Sequence, residues 1–265
     1  MADTRFIQDY PAMRRHREQM AASTRARTRR IVFTVAVLAV LIGAAWTVSP
    51  PLAFLLAGIG AGVLFFAAMP APSSVGADEL SGVEGEVRVL ERLRRLPDDF
   101  VIFNRLRVPD RQLPNGSREL DFVLVDEGGI SVIEVKNTPG LIYVDPEKRQ
   151  WPLTRRAGCG SRPSWNALDN PIPQVRAQTA ALERWLLEHG ISARIRPMIC
   201  FAHFEVAVEN AEDSPVEVIT ADALGERLVS ESPGSGASGP GRERLVKALS
   251  GLVSPATTTT SARAA

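Results

Sequence analysis

The chain has 265 residues, a formal charge of +1 and 45% hydrophobic residues, enough for one soluble domain of ordinary size and something besides. Two cysteines, Cys159 and Cys200, stand far apart without a CxxC pattern, which excludes a zinc framework and a disulfide scaffold and fits a reducing compartment. The near-neutral balance gives no general attraction to polyanions, so any such contact has to come from local clusters.

The first 30 residues are polar and basic, with Arg25, Arg27, Arg29 and Arg30 just ahead of an uncharged run at 31–49 (IVFTVAVLAVLIGAAWTVS). A second uncharged run covers 52–69 (LAFLLAGIGAGVLFFAAM), and Pro50-Pro51 stands between the two. At a rise of about 1.5 Å per residue each run is long enough to cross a hydrocarbon core of about 30 Å. The prolines read as a tight turn between two spans. The arginines ahead of the first span put the N-terminus in the cytoplasm, and two spans return the chain there, as expected of a multi-pass protein of the inner (plasma) membrane. A cleaved signal peptide fits poorly with the long polar stretch ahead and the second span behind. A helical hairpin buried in a soluble protein is the other alternative. Glycines at 58–62 suit close helix packing and a homo-oligomer through the membrane.

Residues 70–80 read as a linker. A helix is expected next, with Ser81 as N-cap, Val83, Val87, Leu90 and Leu93 on one face, and Pro97 as terminator. A strand at 100–108 and the turn-rich PDRQLPNGS lead to ELDFVLVDEGGISVIEVKN at 119–137, two β-branched runs around Asp-Glu-Gly-Gly. With Glu127 and Gly128 central in the turn, Asp126 pairs with Gly129 and Asp121 falls opposite Glu134. Asp121, Glu134 and Lys136 then share a face with Val123, Val125, Ile130 and Val132, against Leu120, Phe122, Leu124, Ile133 and Val135 on the other; a three-residue loop would separate the acids. Two carboxylates and one ammonium leave excess negative charge suited to a hard divalent cation, with Lys136 placed to orient a nucleophile or balance developing charge. A strand-edge salt bridge is the plainer alternative.

Residues 141–144 and the segment around Trp151 are expected to extend the sheet. Asn170-Pro171 opens a helix with Val175, Thr179, Leu182 and Leu186 on one face, closing near His189-Gly190. Strands are expected at 196–201 and 216–220, a flexible linker at 231–241, and a short helix followed by a disordered tail at 242–265. Arg105, Arg107, Arg111 and Arg118 before the hairpin, and Lys148, Arg149, Arg155, Arg156 and Arg162 after it, are phosphate-contact candidates or ordinary surface charge.

Gly82-x-x-Gly85-Glu86 on the first helix, Asp121 on one strand, Glu134-Val135-Lys136 on the next, and Asn170-Pro171 with Gln174 opening a later helix resemble the nuclease-related domain family, NERD. That family is similar to the PD-(D/E)xK nucleases. The resemblance covers about residues 81–204 within a domain expected at 81–230. It implies an α/β fold with a restriction-endonuclease-like mixed sheet flanked by helices, here behind a two-span transmembrane hairpin. It further implies Asp121 and Glu134 as ligands for Mg²⁺ or Mn²⁺, Lys136 as the catalytic lysine, Glu86 as an additional acid, Gln174 as a polar group facing the site, and DNA as partner. Leu120 stands where the superfamily's name has proline. The function so implied is a membrane-anchored cytoplasmic phosphodiesterase; the alternative is a catalytically silent nucleic-acid-binding or scaffolding module at the membrane.

Overall fold

The structure, a computed structural model, describes residues 3–8, 10–69, 76–155, 164–231 and 240–253. It divides into two units, residues 10–80 and the remainder.

The smaller unit is dominated by two helices. α1 (Pro11–Val48) is one unbroken helix, so the basic segment expected as a separate region up to residue 30 is helical and continuous with the first apolar run. α2 (Pro50–Ala67) follows after a single extended residue, Ser49. The two prolines, expected as the turn itself, instead occupy the first positions of α2, where a missing N–H is harmless and a fixed φ favours the helix. The helices pack through small residues: Ala45 and Ala53 are buried, and Gly60 lies against Leu38, whose methyls stand 2.8 Å and 2.9 Å from where a Cβ would be. Trp46 and Phe54 meet edge to face at 5.7 Å. The outer surfaces stay apolar, with Phe33, Val40, Phe54, Leu55, Phe65 and Phe66 exposed, and both helices are long and apolar enough to span a membrane.

The larger unit is mixed α/β with two sheets. The first has the order β1 (Asp3–Phe6), β2 (Val101–Pro109), β3 (Ser117–Asp126), β4 (Gly129–Lys136), β8 (Ile195–Phe201), β10 (Glu217–Thr220). β2, β3 and β4 form an antiparallel meander, while β8, β10 and β1 pair in parallel with their neighbours. β1 has no counterpart in the expected elements; Phe6 stacks on Phe103 at 4.5 Å, and Asn104, fully buried, holds the backbone of Gln8 on both sides.

The segments at 140–155, expected to extend this sheet, form a second one with order β7 (Ser164–Asp169), β6 (Gln150–Arg155), β5 (Gly140–Tyr143), β9 (Val206–Glu209). The chain turns away at Gly140, whose φ of +114° and close approach to the Thr154 carbonyl admit no side chain. One face of the first sheet buries Val101, Phe103, Val123, Val125, Ile130 and Val132 against α4 (Ile172–Glu188) and α6 (Pro240–Ser250). The opposite face carries Ile102, Phe122, Leu124, Ile133, Met198 and Cys200, buried outside that cluster, and α3 (Ala77–Leu93) and α5 (Ala221–Glu231) supply further buried leucines. Of the expected linkers at 70–80 and 231–241, residues 70–75 and 232–239 lie outside the described residues, as does the tail from 254, while 77–80, 231 and 240–241 are helical instead, belonging to α3, α5 and α6.

α3 begins at Ala77, one turn before the expected start, with Asp78 and Glu79 in its first turn, so Ser81 is not its N-cap. Ser81 instead meets Asn137, whose side-chain amide donates to the Ser81 carbonyl at 2.7 Å and to its hydroxyl at 3.3 Å. Gly85 makes this approach feasible: a Cβ there would lie 2.6 Å from the Asn137 Cβ. Because Asn137 is fixed from both sides, Gly85→Ala is expected to destabilise the protein by about 1–3 kcal/mol through overpacking, read as a lower urea midpoint, while Gly82→Ala, with nothing near its added methyl, leaves the midpoint unchanged or higher.

Candidate active site

β3 and β4 pair as Phe122 with Ile133 through to Asp126 with Gly129, and continuing that register places Asp121 opposite Glu134. The ladder yields to side chains at this point. Asp121 Oδ2 accepts the Val135 amide at 2.8 Å, taking the place of a strand carbonyl. On its other flank Asp121 faces Arg105, where β2 is irregular: Arg105 has φ of +52°, a left-handed conformation rare for a non-glycine residue. The alternation of β2 and β3 resets there. Leu120 and Leu106 consequently join the cluster of Val123 and Phe103, so Leu120 lies on the face opposite to the one strict alternation assigns it.

Glu134 is 2% exposed and makes a hydrogen bond through each carboxylate oxygen. Its Oε1 accepts the Lys136 ammonium at 2.7 Å and its Oε2 accepts the Gln178 amide at 2.6 Å. Lys136 also donates to Gln174 Oε1 at 2.9 Å. Gln174 and Gln178, one turn apart on α4, thus bracket the Glu134–Lys136 pair. Gln178 was not among the sequence candidates, although a legible signal existed: it sits between Val175 and Leu182 on the buried side of α4, where an amide needs a partner. Its Oε1 is buried and makes no hydrogen bond.

Glu86 enters from α3. Its Oε2 is buried without a hydrogen-bond partner, and its pKa is pushed up to about 7, chiefly by burial, with repulsion from Glu119 and Glu134 adding to it and Arg105 opposing it. Asp121 lies well above the usual carboxylate range, first through burial, then through Glu134 and Glu86, against the Val135 amide and Lys136. Neighbouring carboxylates add to the effect of burial on Glu86 and Asp121 because like charges in a poorly solvated corner disfavour further ionisation. All five sequence candidates therefore meet at one end of the first sheet, Gln174 through Lys136. Among the described residues no three His, Cys, Asp or Glu side chains form a ready-made metal group.

Three of the four arginines before the hairpin, Arg105, Arg107 and Arg118, form ion pairs within the fold. Glu119 accepts Arg105 at 2.8 Å and Arg107 at 3.0 Å, and buried Asp110, held below the usual carboxylate range by Arg118, accepts Arg118 at 2.8 Å and Arg184 at 3.3 Å. Lys148 pairs with Asp145, and Arg156 and Arg162 lie outside the described residues. Cys200 is buried and its thiol is pushed up by that burial, which makes it inert.

Glu86 binds its proton more tightly in the folded protein than in the unfolded chain, so without divalent cation stability falls as pH rises from about 4.5 to about 7. Glu86→Gln is expected to flatten that decline and to be more stable than wild type at pH 8, read from urea midpoints across the range. An unchanged pH profile would contradict the burial of this acid.

Residues 81–202 match the family model described as nuclease-related domain, NERD. No curated protein matches the chain. Among solved structures, the crystal structure of protein VC1899 from Vibrio cholerae is similar at 13% identity and a TM-score of 0.31, with 84% of this chain and 56% of that one covered, so this chain spans little more than half of that protein. The matched segment holds α3 with Glu86, the β3–β4 hairpin with Asp121, Glu134 and Lys136, and α4 with Gln174, so residues 81–202 of this chain match the nuclease-related domain.

Proposed function

We propose that this protein is a membrane-anchored phosphodiesterase of the PD-(D/E)xK type that hydrolyses DNA with Mg²⁺ or Mn²⁺. The observation that carries this is the gathering of Glu86, Asp121 and Glu134 where the β3–β4 ladder ends, with Glu86 and Asp121 raised chiefly by burial and further by neighbouring carboxylates, against Arg105 and Lys136. Such a corner is short of positive charge, and a hard divalent cation with oxygen ligands supplies it. The donor set fits: Asp121 gives Oδ2 to Val135 and keeps a second oxygen, Glu134 retains lone pairs beyond its two hydrogen bonds, and Glu86 Oε2 awaits a partner. A bound cation would polarise a phosphoryl oxygen and lower the pKa of a coordinated water. Lys136, held by Glu134 and Gln174, presents its charge to the anionic transition state. Glu86, poised near neutrality, can hold or release a proton at Oε2. Gln178 fixes the carboxylate plane of Glu134.

The alternative, a scaffold without turnover, is favoured by the Glu134–Lys136 pair, which already neutralises one acid, and by the lack of a ready-made metal group among the described residues. The different charges of the residues separate the two. Asp121→Ala is expected to lose both Mn²⁺ binding by calorimetry and cleavage of linear or supercoiled DNA. Lys136→Ala is expected to keep or tighten Mn²⁺ binding while cleavage falls on the order of 100-fold or more. Folded wild type that binds no Mn²⁺ and cuts neither DNA would favour the scaffold.

The membrane reading rests on the two apolar helices and gains support from β1, which precedes them yet joins the sheet built from residues after them. Both flanks of the hairpin then face one compartment, and the arginines ahead of α1 argue for the cytoplasm. A reporter active only in the cytoplasm is expected to work when fused at Met1 or at Ala265; an exported reporter active at Ala265 would overturn this topology.

A further inference from the structure

α3 turns a second polar face away from the carboxylates. Arg88 and Arg92, one turn apart on α3, and Arg95 in the turn after it line a groove of about 350 Å³ against the chain leaving β8 at Phe201 and the start of α5. The groove adjoins the candidate active site directly. Its floor residue Ala202 donates its amide to the Lys136 carbonyl at 2.9 Å, and Arg88 donates to the Ala202 carbonyl at 2.5 Å and to Asn137 Oδ1 at 3.3 Å.

At the rim stands Phe204, 73% exposed and, with Trp165, Leu187 and Val229, among the exposed large apolar side chains of the larger unit's described residues. Its ring stacks on His203 at 4.6 Å and 22°, with the Arg88 guanidinium 5.8 Å from its centroid. The turn beneath is tied down: the Glu205 amide donates to His203 Nδ1 and the Val206 amide to the His203 carbonyl, both at 3.1 Å. Here an aromatic face is held towards solvent beside guanidinium groups. Arg92 pairs with Asp222 at 2.6 Å, and Glu91 also lines the groove, so the positive charge is modest and localised.

We propose that this groove holds an unpaired nucleic-acid strand leading to the carboxylate site, with one base stacked on Phe204 and the backbone phosphates beside Arg92 and Arg95. The proposal rests on the phosphodiesterase reading for its direction towards the site. An aromatic face is useful to nucleic acid only where a base has been freed from its neighbours, because bases within a duplex are covered on both sides. A lipid surface fits less well: Glu91 and Asp222 interrupt the arginines, and a single phenylalanine offers little to bury in a bilayer.

The test is fluorescence anisotropy of the full chain in detergent micelles with EDTA, using a labelled oligothymidylate and a blunt duplex of equal length. Wild type is expected to bind the single strand more tightly than the duplex. Phe204→Ala should weaken single-strand binding on the order of tenfold, Phe204→Trp should restore it, and Arg95→Ala should reduce the salt slope by about 0.7. Phe204 is exposed, so the substitution removes little from the fold. Because no turnover is read, a protein that binds in this way but never cuts DNA defeats only the phosphodiesterase reading. Single-strand affinity unchanged in both Phe204→Ala and Arg95→Ala overturns the groove, whether that face binds phosphatidylserine vesicles or nothing and whether or not the enzyme cuts.

Discussion

The constraint on which the larger unit turns is the gathering of acidic groups where the β3–β4 ladder ends. Carboxylates brought together out of water repel and lose hydration, and the fold has to compensate each one. It does so unequally. Glu134 receives an ammonium and an amide, Asp121 receives a backbone N–H, and Glu86 Oε2 receives no hydrogen bond. The shortfall is concentrated on the two acids whose pKa values rise.

Much of the surrounding architecture follows from holding that corner in shape. Asn137, immediately beyond Lys136, fastens α3 at Ser81, and Gly85 lets the helix come close enough for Glu86 to reach the strands. α4 crosses the same end and supplies Gln174 and Gln178 at one-turn spacing. The left-handed Arg105 beside Asp121 is strained backbone at the place where both strands shift their alternation, and its guanidinium turns to Glu119, whose own carbonyl accepts from Gln178. The buried Asn104 next to Arg105 binds Gln8, so the segment that leads into α1 is fastened one residue from the strain.

α3 connects the two surfaces. Its acidic side completes the carboxylate corner, and its arginine side, with the turn that carries Phe204, forms the neighbouring groove. On the proposed reading one helix borders both the site of phosphodiester attack and the path of the strand, and the backbone hydrogen bond from Ala202 to Lys136 links the two.

The sequence by itself determined the hairpin register, because period-two alternation around a Gly-Gly turn leaves few ways to bury both valine-rich runs. It also determined the apolar helices, through unbroken length, and the α4 face of Val175, Leu182 and Leu186. Those properties are local, and local periodicity reports them. Only the tertiary structure decided the rest. The pairing of β1 with β2 joins residues about a hundred positions apart through backbone groups that carry no sequence signature. The separation of β5 and β6 into a second sheet depends on the turn at Gly140 and on their partners β7 and β9, all outside the reach of a strand pattern. The left-handed Arg105 had no signal at all, since arginine is an ordinary strand residue until neighbouring strands impose the irregularity. The burial that sets Glu86 and Asp121 apart from surface acids arises from α3 closing on the sheet, and desolvation is a property of the assembled protein that no single segment contains.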